Sequence, residues 1–301
     1  MQDDTGPAAY GPIYFWPNEK DPHVFRPSIK DKTGVYIGVG TFRTFSALGM
    51  GQYSHGILMD YNRDTGKFNT ANLLLIQSCT DRKAYLSGLF GVEISSKMMS
   101  DLDAGTSPEE WKSLDQRAKA DPLRTHEILT KNATPQKLWE LSNKIFPTPE
   151  QWQATIFGSD AIFRRIKVLT EKGAIDVVSG DIANRKESFS SMQRELRAKK
   201  LTVSTVDISN VLGAVGNDKT QTIVDNFRQL PLADDAILLF TSDHFRFPHE
   251  VIEERGWSYS FMEFKKFPKS EIIEKTEPAV AKTSPGLLKR LCNKLLGFIA
   301  D

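Results

Sequence analysis

The sequence predicts an α/β fold, a doubly wound and mostly parallel sheet with a largely helical insertion. Three observations predict it. Short apolar, β-branched runs alternate with helical stretches at Thr33–Asn62 and again from Gly173 to Thr241. The first run leads at once into a glycine turn. Polar residues, Asp60, Asp181 and Asp207, stand at or just past the ends of successive runs, where sheets of this kind gather their ligand-facing groups at one edge.

The first unit is TGVYIGVGTFRTFSALGMGQYSHGILMDYN. Gly34 to Ile37 is short and apolar, as a strand covered on both faces should be. Gly38 and Gly40 follow, where a chain turns sharply and a ligand can approach bare backbone. Phe42 to Gly51 has room for a short helix, and Gly56 to Met59 is the second strand. Asp60 ends it, 22 positions after Gly38. An acid about 20 residues past such glycines accepts hydrogen bonds from a ribose in nucleotide-binding βαβ units. The third glycine of G-x-G-x-x-G is absent, because Arg43 stands there, which counts against a standard dinucleotide site. An ordinary βα turn with a strand-end aspartate would look the same.

Before this unit, residues 1–32 carry prolines five residues apart, at 7, 12, 17, 22 and 27, with Tyr10, Tyr14, Phe15, Trp16 and Phe25 between them. They forbid a long helix. The reading is an extended arm whose aromatics anchor it over the core or cover a pocket near Gly38.

Residues 63–172 read as the helical insertion, interrupting the alternation for about 110 residues. Asp81 is placed to cap the helix containing Tyr85, Leu86, Leu89 and Phe90. Ser107-Pro108-Glu109-Glu110 and Thr148-Pro149-Glu150 are further helix starts, with proline in the first turn and acids behind it.

Alternation resumes with a strand at Ala174 to Val178, left through Ser179-Gly180-Asp181-Ile182. A helix from Lys186 to Leu196 and a strand from Leu201 to Val206 follow, ending on Asp207. Ile208-Ser209-Asn210 leaves that strand. A helix from Thr220 to Leu230, a strand from Ala236 to Thr241, and a late, antiparallel edge strand over Trp257 to Phe267 complete the domain.

Composition bounds the function. The 301 residues carry a formal charge of +1, so no global field recruits nucleic acid. Cys79 and Cys292 have no metal-ligand spacing and form no disulfide framework. The N-terminus lacks signal-peptide features, which suits the cytoplasm, and a signal cleaved beforehand would leave the same start. In HFRFPHEVIEE, Pro248 reads as a helix start, and His249 and Glu253 would share one helical face; a metal would need further ligands, and none is assigned. No G-x-S-x-G elbow is present. After a linker at 269–285, residues 286–301 form a basic amphipathic helix whose apolar face, Leu287 to Ile299, would suit a membrane surface or a protein partner.

The order glycine turn, acid after the second strand, Gly-Asp after the third, and acid plus Ser-Asn after the fourth resembles class I S-adenosylmethionine-dependent methyltransferases. GVYIGVG…LMDYN, DRKAYLSGLFG and DISNV look most like a poorly characterised bacterial methyltransferase-like family with a helical insertion. The resemblance spans roughly Tyr10 to Phe267, although only those short runs are specific. It implies a Rossmann-like domain over 33–268 with S-adenosylmethionine as cofactor and an unknown methyl acceptor. By it, Gly38 and Gly40 meet the methionine end, Asp60 the ribose and Asp181 the adenine edge, with Thr41, Tyr61 and Ile182 as further cofactor-binding residues beside them. Asp207, Ser209 and Asn210 would face the methyl group or the acceptor, with Asp207 and Asn210 the catalytic candidates. The first strand lacks the usual acid, and Asn210 is not followed by the Pro-Pro-aromatic sequence of amino-methylating enzymes. Two other readings share the fold: a non-catalytic interaction module, and a different nucleotide-using enzyme in which Arg43 binds phosphate.

Overall fold

The computed structural model describes residues 23–90, 93–104, 148–183, 186–209, 211, 217–241, 250–254 and 257–263. Asn210, His244, His249, the start at Ser107, the linker and the C-terminal amphipathic segment lie outside them.

Among the described residues, seven strands form one sheet: β1 (Val35–Val39), β2 (His55–Asp60), β3 (Ile175–Ser179), β4 (Val203–Asp207), β5 (Leu232–Thr241), β6 (Glu250–Glu254) and β7 (Trp257–Glu263). Their order is β3-β2-β1-β4-β5-β7-β6. The pairs from β3 through β5 are parallel, and β7 runs antiparallel to both β5 and β6. This is the doubly wound, Rossmann-like sheet that the sequence predicts. The chain builds outward from β1 to β3, then returns to place β4 on the other side of β1. That reversal makes a switch point between β1 and β4, where the connecting loops part and leave a crevice.

The late edge strand proves to be second from the edge, because β6 takes the outside. This corrects the helix start read at Pro248. VIEE pairs along β7, with Ile252 opposite Tyr259. Sheet pairing overrides a weak local helix signal, so Glu253 belongs to an edge strand rather than a helical face.

Alternate side chains of β1 and β2 feed two cores. Tyr36 and Leu58 pack with α2 (Phe42–Met50), α3 (Arg63–Ser78) and α4 (Arg82–Phe90), and with the later α7 (Asp160–Glu171). Val35, Ile37, Ile57 and Met59 pack with α8 (Lys186–Ala198) and α9 (Asn217–Arg228) on the opposite face. Close approach is built in, since a Cβ on Gly49 would strike Ile162 of α7, and one on Gly66 would strike Ser179 of β3. The first and last helices of the insertion, α3 and α7, are therefore part of the layer covering the sheet. Between them lie α4, α5 (Ser96–Asp103) and α6 (Pro149–Gln153). Arg82, 5% exposed, ties this region together by bonding Asp103 of α5, Asp160 of α7 and the Phe157 carbonyl, each at 2.7 Å.

The helix starts follow local chemistry. Asp81 accepts from the Ala84 N–H at 2.8 Å, as a cap should. Thr148 and Gln151 form a reciprocal capping box in front of α6. The predicted arm is helical where it is described: α1 (Arg26–Ile29) carries Pro27 in its first turn and buries Ile29. Among the described residues, no helix is long and apolar enough to cross a membrane.

Candidate functional site

The carboxyl ends of β1, β2 and β3 meet at one edge of the sheet. Val39 pairs with Met59, and Asp60 pairs with Ser179, so the glycine turn, the acid and the Gly180-Asp181 turn stand side by side. Backbone bonds fix the arrangement: the Gly40 N–H donates to Met59 O at 3.0 Å, and the Gly180 N–H to Asp60 O at 2.9 Å.

The two glycines of the turn do different work. Gly38 is still within β1, and a Cβ there would collide with Thr44 Cγ2 at 2.6 Å and the Tyr36 ring at 2.7 Å. Gly40 makes the turn. Its φ of +100° is a conformation that L residues rarely adopt, and a Cβ built on it would meet nothing within 4 Å. The backbone at Gly40 is thus both bare and open. Its carbonyl accepts from the side chain of Asn69, on α3, at 2.9 Å. Thr41 occupies the N-cap position of α2, is buried, and makes no capping bond with its side chain. Phe42, which could have plugged this space, turns into the core, its ring 4.6 Å from that of Phe157 and 5.4 Å from that of Phe68.

Asp60 is half-buried. Its Oδ1 accepts from the Asn62 N–H at 2.8 Å, and the Thr65 hydroxyl and Tyr61 N–H assist. Burial outweighs these donors and pushes its pKa up to about 6. A carboxylate held this way gains by accepting further donors, which is what ribose hydroxyls offer. Tyr61 beside it is 42% exposed, a large aromatic face left at the rim. Asp181 accepts from the Ala183 N–H at 2.8 Å, fixing its turn. Ile182 puts its side chain into the core under α8 and α9, and its carbonyl accepts from Asn226 at 2.8 Å.

At the switch point the structure changes the reading of Asp207. Asp207 is 1% exposed and lies opposite Gly38 in register. Four donors surround its carboxylate: Arg43 Nε at 3.0 Å, Arg43 Nη2 at 2.9 Å, the Tyr36 hydroxyl at 3.0 Å and the Ser209 N–H at 3.0 Å. Arg43 in turn lies over the Phe25 ring, its Cζ 5.1 Å from the centroid. Burial, and next the neighbouring Asp207 charge, hold the Tyr36 hydroxyl well above its ordinary pKa, so it stays a donor. A general base needs a lone pair directed at the proton it takes. These oxygens are committed to their own donors, so the geometry is that of an anchor. Nε and Nη2 of Arg43 are thereby committed to Asp207 rather than offered to a phosphate. Ser209 follows with a φ of +50°, a strained conformation for a non-glycine residue at the site's rim.

The sequence pattern therefore locates Gly38, Gly40, Thr41, Asp60, Tyr61, Asp181, Ile182, Asp207 and Ser209 at one sheet edge, and the structure brings them there. It does not reveal Tyr36, Asn69, Thr65 or Asn226. The one available signal is the polar residues on otherwise apolar helix faces, Asn69 between Phe68 and Leu73 above all.

A comparison with curated protein sequences finds no match. Among solved structures, the chain is similar to the rRNA methyltransferase aviRa from Streptomyces viridochromogenes, with 10% identity over 80% of this chain and 79% of that one, at a TM-score of 0.36. A family profile described as a domain of unknown function, DUF7790, matches residues 14–284, and the chain belongs to that family.

Proposed function

We propose that the carboxyl edge of β1, β2 and β3 binds S-adenosylmethionine, and that the protein is a methyltransferase-like enzyme acting on a small-molecule or protein acceptor. The observation that carries this reading is the pairing of Gly40 and Asp60. A glycine at φ +100° with open space over it is tied by hydrogen bond to the strand whose last residue is a half-buried acid. The residues fit an adenosine-containing ligand. Gly40 and Thr41 would take the methionine end, Asp60 and Tyr61 the ribose, and Asp181 with the backbone at Ile182 the adenine edge.

When bound, S-adenosylmethionine supplies a methyl group already activated by its sulfonium. Transfer to an acceptor would leave S-adenosylhomocysteine behind, and the acceptor's proton would pass to solvent. The chain's own task is then positioning. Asp207 would hold the floor of the switch point, through Arg43 and Tyr36, rather than receive that proton. This arrangement suits acceptors that react without a protein base. Asn210, the other catalytic candidate, lies outside the described residues.

One observation favours a second reading. The same four donors on Asp207 suit a domain that binds the nucleoside and performs no transfer. Calorimetry with S-adenosylmethionine and S-adenosylhomocysteine tests the site: micromolar binding supports it, and no binding of either at millimolar concentration overturns it. Transfer of a labelled methyl group to cell extract then separates enzyme from binding module.

A further inference from the structure

We infer that Arg43 keeps the switch point from discriminating ligand charge, because it cancels the charge of Asp207 and leaves that point electrically neutral toward the ligand. The inference rests on the nucleoside-binding reading above and adds to it that Asp207 gives no preference for a cationic ligand.

The argument begins with position. Asp207 ends β4 and lies opposite Gly38 of β1, so it stands at the reversal of strand order, where the crevice of such a sheet opens. An uncompensated carboxylate at that place would attract a cationic ligand and repel an anionic one. Arg43 prevents this. It sits in the first turn of α2, where the third glycine of a dinucleotide fingerprint would stand, and it reaches both Asp207 oxygens in a fork at 3.0 and 2.9 Å. Both side chains are buried, at 5% and 1% exposure, so water does little to loosen them. Opposite charges held that close leave only a dipole for a ligand lying beyond them, and the attraction of a dipole falls off faster than that of a charge. The Phe25 ring on the guanidinium and the Tyr36 hydroxyl on the carboxylate keep the pair from parting to meet a ligand.

The consequence concerns the two nucleosides that differ by one charge. S-adenosylmethionine carries a sulfonium cation, and S-adenosylhomocysteine has a neutral thioether in its place. A neutral switch point reads their common adenosine and amino-acid parts and is indifferent to the sulfur's charge.

The test is calorimetric titration of the full chain with both ligands at low ionic strength. For the unsubstituted protein the expected dissociation constants lie within about threefold of each other; a tenfold or greater preference for either ligand would overturn the inference. Arg43→Gln unmasks Asp207 and is expected to shift the ratio at least tenfold toward S-adenosylmethionine. An unchanged ratio in a folded Arg43→Gln protein also overturns it. Should that variant fail to fold, Arg43→Gln/Asp207→Asn decides the matter, because Gln and Asn can still hydrogen-bond to one another. Removing both charges should leave the ratio within threefold of the original, and a larger change shows that the pair was not neutral to the ligand. Failure of the unsubstituted protein to bind either ligand is a different result, which removes the nucleoside site itself and this inference with it.

Discussion

The side-chain amide of Asn69 donates to the carbonyl of Gly40 at 2.9 Å, joining the middle of α3 to a turn 29 residues earlier in the chain. Asn69 is 1% exposed, and its Oδ1 makes no hydrogen bond. A buried polar group left partly unsatisfied is costly, and the bond to Gly40 offsets that cost. Asn69→Leu keeps the volume and deletes the donor. The expected result is a stability loss of about 1–3 kcal/mol with at least a tenfold weaker affinity for S-adenosylhomocysteine, read by urea unfolding and calorimetry. Unchanged affinity in a folded variant would make Asn69 a packing residue only.

The two glycines should separate in the same way. Gly40→Ala meets no atom, so its cost is conformational, about 1–2 kcal/mol for the left-handed backbone. Its new methyl group would project into the open space proposed for the ligand. Gly38→Ala instead overpacks Thr44 and Tyr36, at about 1–3 kcal/mol. Parallel urea unfolding and ligand titration should find that Gly40→Ala loses more binding per unit of lost stability. The reverse order would move the ligand away from Gly40.

These contrasts bear on what the sequence makes legible. Gly40 and Asp60 can be read because turn chemistry and strand endings are local, and the distance between them is set by one βαβ unit. Asp81 and Thr148 can be read as caps for the same reason. Arg43 and Asp207 are each visible as polar residues at element ends, but their pairing is not, because 164 residues separate them and only strand order brings them together. Asn69 is harder still, since a polar residue on a helix gives no sign of which carbonyl it will meet. The stretch VIEE shows the opposite failure, a local helix signal overridden once β7 offers it a hydrogen-bonding edge.

Asp60 yields a pH prediction with a definite sign. Burial raises its folded pKa to about 6, from an ordinary value near 3.8. A raised carboxylate binds its proton more tightly when folded, so this group favours folding below pH 4. That contribution is lost as pH rises through the window from about 4 to about 6, and ionised Asp60 then disfavours the folded state. Asp60→Asn keeps an acceptor for the Asn62 N–H and removes the charge. It should stabilise the free protein at pH 7.5 by about 1–2 kcal/mol, allowing for partial exposure, with the gain vanishing toward pH 4. The same substitution should abolish nucleoside binding, because a neutral amide is a poorer acceptor for two ribose hydroxyls. Denaturant unfolding of both proteins across this range checks the sign; a stability gain that grows toward low pH contradicts the assignment.

The Arg43–Asp207 pair makes the last prediction, about folding rather than ligands. Taking two charges out of water is costly, and their mutual attraction repays that cost only while both are present. Arg43→Met leaves Asp207 buried with the Tyr36 hydroxyl and the Ser209 N–H but no cation, and should cost about 3–5 kcal/mol. Asp207→Leu strands the guanidinium between an apolar side chain and the Phe25 ring, and should cost a similar amount. The double variant Arg43→Met/Asp207→Leu removes both charges and should recover most of the loss. It should not recover all of it, because the Tyr36 hydroxyl is fully buried and loses its acceptor. Adding Tyr36→Phe deletes that stranded donor and should return a further 1 kcal/mol or so. Urea unfolding of these four variants beside the unsubstituted protein forms a coupled series in which additive losses would contradict the bidentate pair.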